Sequence, residues 1–335
     1  MSAGKPAVEP GPVIAIVGLG WMGQSLGHAL QRVKTRYSLV GHDREPALAR
    51  AARESGAIDR ADWNLISAVA DADLVFLTEP MEQSCRTLEQ IAPELRPGSL
   101  VTDTVPRMAR LLALADRLLP AGVSYVGGHP VLRPPVGGKP EADASLAAAR
   151  FEKATWCLAP LPSASDTAVS VLSRLVTAVG ARPRFFDPHE HDALQTGVGL
   201  APFLSAMALL RQLGASPSAE DFERLGAAYL LGMVDLPQAE AEAWMSAVQE
   251  DREGVAGWLD QTIEALSEMR SALREDPPRF EALLAEAEAL RQRWCSPSEA
   301  VDPMAAALAD VSEQGSLRHM LFGRLGRRDE GGAGA

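Results

Sequence analysis

Cysteine is scarce in this 335-residue chain: there are three, Cys85, Cys157 and Cys295, far apart and without paired spacing. That excludes a disulfide framework and a cysteine-rich structural metal site, and it fits a reducing compartment. Positive charge is also short. Lys and Arg number 32 against 44 Asp and Glu, a net charge of -12 at pH 7. The deficit argues against a large nucleic-acid footprint and against anionic membranes. It says less about a small substrate, because one local cluster can oppose the global sign. No apolar run reaches the roughly 18 residues that a membrane span needs. The opening MSAGKPAVEPGP reads as a short polar tail without the features of a secretory signal. The expectation is a soluble cytoplasmic protein with neither nucleic-acid nor membrane partners. There is no internal repeat.

What is present is enough apolar material, 47% of the chain, for two ordinary cores. Through the first half, short apolar segments alternate with helix-like ones. Candidate strands are Val13–Val17, Tyr37–Gly41, Leu74–Thr78, Leu100–Thr102, Tyr125–Gly127, Trp156–Ala159 and Arg184–Phe186. Helical composition covers Gly23–Val33, Pro46–Ser55, Met81–Ala92 and Ala164–Val179. Near-continuous apolar strands between helices predict a doubly wound α/β domain of Rossmann type, covered on both faces.

Beyond Asp187 no convincing strand follows. Ala/Leu/Glu-rich stretches cover His189–Leu213, Ser218–Leu231, Glu240–Leu273 and Arg279–Trp294. Val255, Leu259, Ile263, Leu266, Met269 and Leu273 recur at three- and four-residue steps, which makes one helical stripe. The sequence therefore predicts a dinucleotide-binding domain over 12–187, an all-α substrate and dimerisation domain over 188–322, and a disordered tail over 323–335. Homodimerisation follows from long helices rich in small apolar residues and from the prevalence of two-fold dimers.

Gly18-Leu19-Gly20-Trp21-Met22-Gly23 fits G-x-G-x-x-G, and it stands between an apolar strand and a helix, the context the motif requires. Gly18 suits a tight turn, Gly20 lets the backbone approach a pyrophosphate, and Gly23 lets helix and strand pack closely. The pyrophosphate would rest on the helix N-terminus, where free N–H groups attract anions. Asp43 lies 20 residues past Gly23, where an acid bonds a ribose 2′-hydroxyl and repels a 2′-phosphate. The expected cofactor is NAD. Arg44 keeps NADP open, because a guanidinium there can stack on adenine or pair with a 2′-phosphate. Thr78 and Pro80 follow one strand and are expected on the nicotinamide side. Asp103 follows another, and two roles fit it: cofactor contact, or tying its own loop through backbone bonds. Trp21 suits either the cofactor cleft or packing.

Beside the glycine loop, the chain shows Asp43-Arg44 after the second strand, GGHP at 127–130, WCLAP at 156–160 and His191-Asp192. With these it resembles the prephenate and arogenate dehydrogenases over about 15–295. GGHP followed about sixty residues later by DPHEHD is the more specific part. The resemblance implies an NAD(P) domain followed by a helical, dimer-forming one. It implies hydride transfer from a cyclohexadienyl alcohol bearing a ring carboxylate, then loss of CO₂. It also places His129 at the substrate hydroxyl. An imidazole with an ordinary pKa of about 6.5, set after a strand and a Gly-Gly turn at the ligand-binding edge of a sheet, suits a general base. The other role open to His129 is holding that turn.

The chain departs from the family pattern at several points. Family members follow the fifth strand with D-x-x-S-x-K, whereas Pro106 and Met108 stand at the Ser and Lys places here. Thr104 or Thr102 would be replacements for the hydroxyl. Arg133 stands where a glycine is usual, and Gly199-Leu200-Ala201-Pro202-Phe203 replaces a segment with two histidines. The arginine that grips the substrate carboxylate is absent from the stretch before Trp244, where Asp235 stands instead. A desolvated carboxylate needs a cation or several donors. Arg133, four residues after His129, and Arg107 are the candidate substitutes, with Thr104, Leu200, Phe203 and Arg252 as further substrate-side candidates. No metal site is expected from His189, Glu190, His191 and Asp192, because four adjacent residues cannot all converge. Three readings stay open: a dehydrogenase with an altered small-molecule substrate, a cofactor-binding regulator or interaction protein with little catalysis, and a true prephenate or arogenate dehydrogenase with a rebuilt carboxylate site.

Overall fold

The computed structural model describes residues 11–34, 36–132, 148–234, 245–246 and 248–295. It divides into two compact units, the first running to His189 and the second beginning at Glu190.

The first unit is an eight-stranded sheet with helices on both faces. Its strands are β1 (Val13–Val17), β2 (Ser38–His42), β3 (Arg60–Ala61), β4 (Leu74–Leu77), β5 (Leu100–Asp103), β6 (Ser124–Val131), β7 (Thr155–Pro160) and β8 (Arg182–Phe185). They lie in the order β3-β2-β1-β4-β5-β6-β7-β8. All neighbours are parallel except β6 and β7. The helices are α1 (Trp21–Arg32), α2 (Pro46–Glu54), α3 (Leu65–Ala70), α4 (Met81–Ile91), α5 (Ala109–Leu118) and α6 (Asp166–Ala178). The strands read as apolar runs because both faces are buried. Ile14, Ile16, Phe76, Val126 and Trp156 join a core with Leu26 and Leu30 of α1 and Leu172 of α6. Ala15, Val17, Val75, Leu77 and Tyr125 join another with Val69 of α3, Leu88 of α4 and Leu111 of α5.

The strand ladder corrects one reading. Gly127, Gly128, His129 and Pro130 are no turn after a strand; they are part of β6 and pair antiparallel with β7. Gly128 is required there by close approach, since a Cβ on it would fall 2.5 Å from the Asp103 carbonyl oxygen and 3.0 Å from Thr102 Oγ1.

The second unit holds the rest of α7 (Pro188–Gln195), a π turn (Thr196–Leu200), α8 (Ala201–Gly214), α9 (Ala219–Val234), α10 (Arg252–Glu275) and α11 (Pro277–Cys295). The π turn has a local cause: Pro202 lacks the N–H that would reach back to Val198. Asp251 starts α10, accepting from the Gly254 N–H at 3.0 Å. The helix expected over 240–273 therefore begins anew at Arg252. The stretch Pro188–Gly214 is, by length and composition only, apolar enough to cross a membrane, a test that core helices of soluble proteins also pass. The tail over 323–335 lies outside the described residues.

Candidate functional site

The carboxyl ends of the parallel strands are where open α/β sheets bind ligands, and the glycine loop follows β1 there. Gly18 has a φ of 93°, a left-handed conformation, and a Cβ on it would run into Glu79 and the Thr78 carbonyl carbon. A Cβ on Gly23 would lie 1.9 Å from the Gly18 carbonyl oxygen. The Gly20 position has no heavy atom within 4 Å of its Cβ place. Gly20 is the N-cap of α1 and offers no side-chain cap, so the first N–H groups of α1 are left to an external acceptor. Glycines that close the loop on two sides and leave it open on the third fit a pyrophosphate.

Asp43 secures this loop. Its Oδ2 accepts from the Leu19 N–H at 2.6 Å, and its Oδ1 from the Glu45 N–H at 2.7 Å. The Thr78 hydroxyl donates to the Val17 carbonyl at 3.0 Å and also reaches the Gly18 carbonyl. The buried Thr78 therefore locks β4 to the glycine turn. Pro80 is exposed and starts α4, and Arg44 is exposed beyond Asp43. Leu19 is fully buried and Met22 packs against the core, so those two offer the site backbone only. The Trp21 ring lies under the Arg150 guanidinium, 4.8 Å from its centroid.

Glu79 was not foreseen. It follows Thr78 directly, its Cγ lies 2.5 Å from the place of a Gly18 Cβ, and its Oε2 accepts from Thr87 Oγ1 of α4 at 2.5 Å. Burial raises its pKa and nearby Asp43 adds to this, while Thr87, His42 and Arg44 oppose. The available signal was a charged residue at the carboxyl end of a buried strand.

Asp103 anchors the loop after β5. It is fully buried, its Oδ2 accepts from the Tyr125 hydroxyl at 2.6 Å, and its Oδ1 from the Val105 N–H at 3.0 Å. Of the two roles open to it, these bonds fit the tying of its loop. The Tyr125 hydroxyl is held well above its ordinary pKa by burial and by this carboxylate. The same ladder presents His129, half-buried, opposite Cys157 of β7. An imidazole nitrogen and Cys157 Sγ lie within 4.8 Å. Burial pushes the Cys157 thiol up to about 12, so it stays protonated near neutrality. After β5, Thr104 is buried, Pro106 exposed, Arg107 half-buried, and Met108 wholly inside the core. Arg133 and Asp235 lie outside the described residues.

In the second unit, Leu200 is buried against Val255, with Phe203, Leu204, Val248 and Leu259 packed around them. Leu200 and Phe203 thus belong to that unit's core. Arg252 is exposed on the first turn of α10. His191 and Asp192 are buried and meet each other, Nδ1 to Oδ1, at 3.1 Å.

Residues 26–184 match the model of the prephenate dehydrogenase nucleotide-binding domain. The prephenate dehydrogenase of Bacillus subtilis (strain 168) is 26% identical over 265 residues, covering 78% of this chain and 70% of that protein. These matches support a kinship with the prephenate dehydrogenases. The matches show a dehydrogenase whose α/β unit binds NAD(P), in keeping with the glycine cradle. The 4-amino-4-deoxyprephenate dehydrogenase of Streptomyces pristinaespiralis is 24% identical over 206 residues, 61% of this chain and 64% of that one. The prephenate dehydrogenase of Aquifex aeolicus, solved with hydroxyphenyl propionate and NAD+, superposes with a TM-score of 0.72 at 22% identity, over 86% of this chain and 99% of that one. That likeness shows a shared fold.

Proposed function

We propose that this protein oxidises a small carboxylated alcohol of the cyclohexadienyl type, with NAD as the cofactor and His129 as the base. One observation carries the reading: a complete glycine cradle after β1 and a half-buried imidazole near the end of β6 stand at the same edge of one sheet. NAD, when bound, supplies the hydride acceptor. His129 takes the proton of the substrate hydroxyl, which a group of its type does efficiently near neutral pH. Decarboxylation accompanies oxidation only if the ring substrate is retained. The relatives' names, prephenate, cyclohexadienyl and 4-amino-4-deoxyprephenate dehydrogenase, support the substrate class. Asp43, at the place of a ribose-binding acid, supports NAD over NADP.

A second reading is a cofactor-binding regulatory protein with weak catalysis. It is favoured by Met108, which occupies a family lysine place and is wholly buried in the core. A third, a true prephenate or arogenate dehydrogenase, needs Arg133, Arg107 or Arg252 to hold the carboxylate. A substrate panel separates the three. Prephenate, arogenate and the 4-amino analogue are tested with NAD and NADP by nicotinamide absorbance, beside His129→Asn and Arg133→Ala. Turnover of one panel member that is lost in His129→Asn supports the first or third reading. Dinucleotide binding without turnover of any member supports the second.

We also propose that the protein is a homodimer through its helical unit and works in the cytoplasm. The exposed apolar side chains of α8 to α11 support the former. Cys85, Cys157 and Cys295, which form no disulfide with one another, support a reducing compartment.

A further inference from the structure

We propose that Glu79 is a specificity-determining residue of the dinucleotide site, a second acid that acts with Asp43 to admit a free ribose and turn away a 2′-phosphorylated cofactor. The inference rests on the dinucleotide reading above and names what decides between its two cofactors.

Three observations place Glu79 there. Its side chain lies against the glycine turn, with Cγ 2.5 Å from the place of a Gly18 Cβ. The charged groups whose fields it feels, Asp43, His42 and Arg44, all stand at the end of β2. The end of β2 is the ribose side of a dinucleotide fold. Its backbone and carboxylate are both fixed from α4: the Ser84 hydroxyl donates to its carbonyl at 2.9 Å, and Thr87 to Oε2 at 2.5 Å. The carboxyl therefore points where it does by construction.

A half-buried acid without a cation bonded to it among the described residues is costly to keep. Such a group is more easily understood at a site than in a scaffold. It also removes the ambiguity left by Arg44. One acid and one exposed guanidinium would nearly balance at a 2′-phosphate. Two acids, one of them in a partly desolvated place where charge interactions are stronger, tip the balance against it. Toward a ribose, Oε1 is an acceptor that Thr87 leaves unused.

The test is equilibrium binding of NAD+ and NADP+ by calorimetry to the full chain, comparing wild type, Glu79→Gln, Glu79→Thr and Asp43→Asn/Glu79→Gln. Glu79→Gln keeps the carbonyl oxygen that accepts from Thr87, and circular dichroism confirms which variants retain the fold. NADP+ affinity is expected to rise about tenfold in Glu79→Gln, with NAD+ affinity within about threefold of wild type. The double variant should approach parity between the cofactors. An unchanged NADP+/NAD+ ratio in a folded Glu79 variant that binds NAD+ overturns the inference. Wild type that binds neither dinucleotide overturns the cofactor reading itself, and this inference with it.

Discussion

His129 is set apart from the other candidate residues by what stands across the ladder from it. Its partner, Cys157, is a thiol that burial keeps protonated, so it neither competes for a substrate proton nor puts a negative charge beside the imidazole. His129→Asn should lower kcat by about 10² to 10⁴-fold, the span a general base contributes, and leave NAD+ binding as it was. Retained turnover on the best substrate of the panel would remove His129 from its role. Glu79 makes a second prediction at this scale. Its folded pKa is raised above the unfolded value, chiefly by burial. The folded state thus holds the proton at a pH where the unfolded chain has released it. Stability must fall as pH rises from the usual glutamate range through the raised folded value, and level off above it. In urea denaturation across that range, Glu79→Gln should show a shallower decline than wild type. Parallel curves would mean that the group is solvated.

At the scale of elements, the glycine loop was legible because its chemistry is local. An apolar strand, three glycines and a helix onset lie within 11 residues, Val13–Gly23. Each glycine meets the constraint its spacing implies. Gly23→Ala tests this most sharply, since its Cβ would lie 1.9 Å from a backbone oxygen, which cannot swing aside as a flexible side chain can. A loss of about 1–3 kcal/mol, the usual range for an overpacked position, and weakened binding of both dinucleotides are expected from denaturation and calorimetry. A wild-type midpoint with intact NAD+ binding would refute the close packing of α1 on β1. What the sequence obscured was long-range. GGHP resembles a turn because two glycines and a proline punctuate it. Its extended form depends on β7, about thirty residues on, and on the Asp103 carbonyl that excludes any side chain at Gly128. Helices α3 and α5 escaped for a different reason: at 6 and 10 residues they are too short for a stripe to stand out. Thr78 and Asp103 were correctly placed at strand ends, but their bonds to Val17, Gly18, Val105 and Tyr125 exist only once the strands are aligned.

For the whole molecule, the decisive quantity is apolar surface that the single chain leaves uncovered. The stripe along α10 begins inside the second unit's core, with Val255 buried and Leu259 half-buried, but from Ile263, about two turns on, it is largely in water. Ile263, Leu266 and Leu273 are each about 60% exposed. Leu225 of α9 and Trp294 of α11 are more exposed still, at 72% and 80%. Single exposed leucines are ordinary, but a helical stripe that continues beyond its own core is a pattern for docking. A second copy of this chain is an economical partner, because a two-fold interface uses the same patch twice. Covering one such leucine contributes about 1.5–3 kcal/mol, and the symmetry doubles it. Leu266→Glu would instead place a carboxylate on each side of the interface. Light scattering should therefore give wild type twice the 35.6 kDa of one chain, and Leu266→Glu a single copy at the same micromolar concentration. NAD+ binding should survive the change, since the glycine cradle belongs to the other unit. Wild type that stays monomeric at that concentration would end the dimer proposal and leave the stripe on α10 unexplained by self-association.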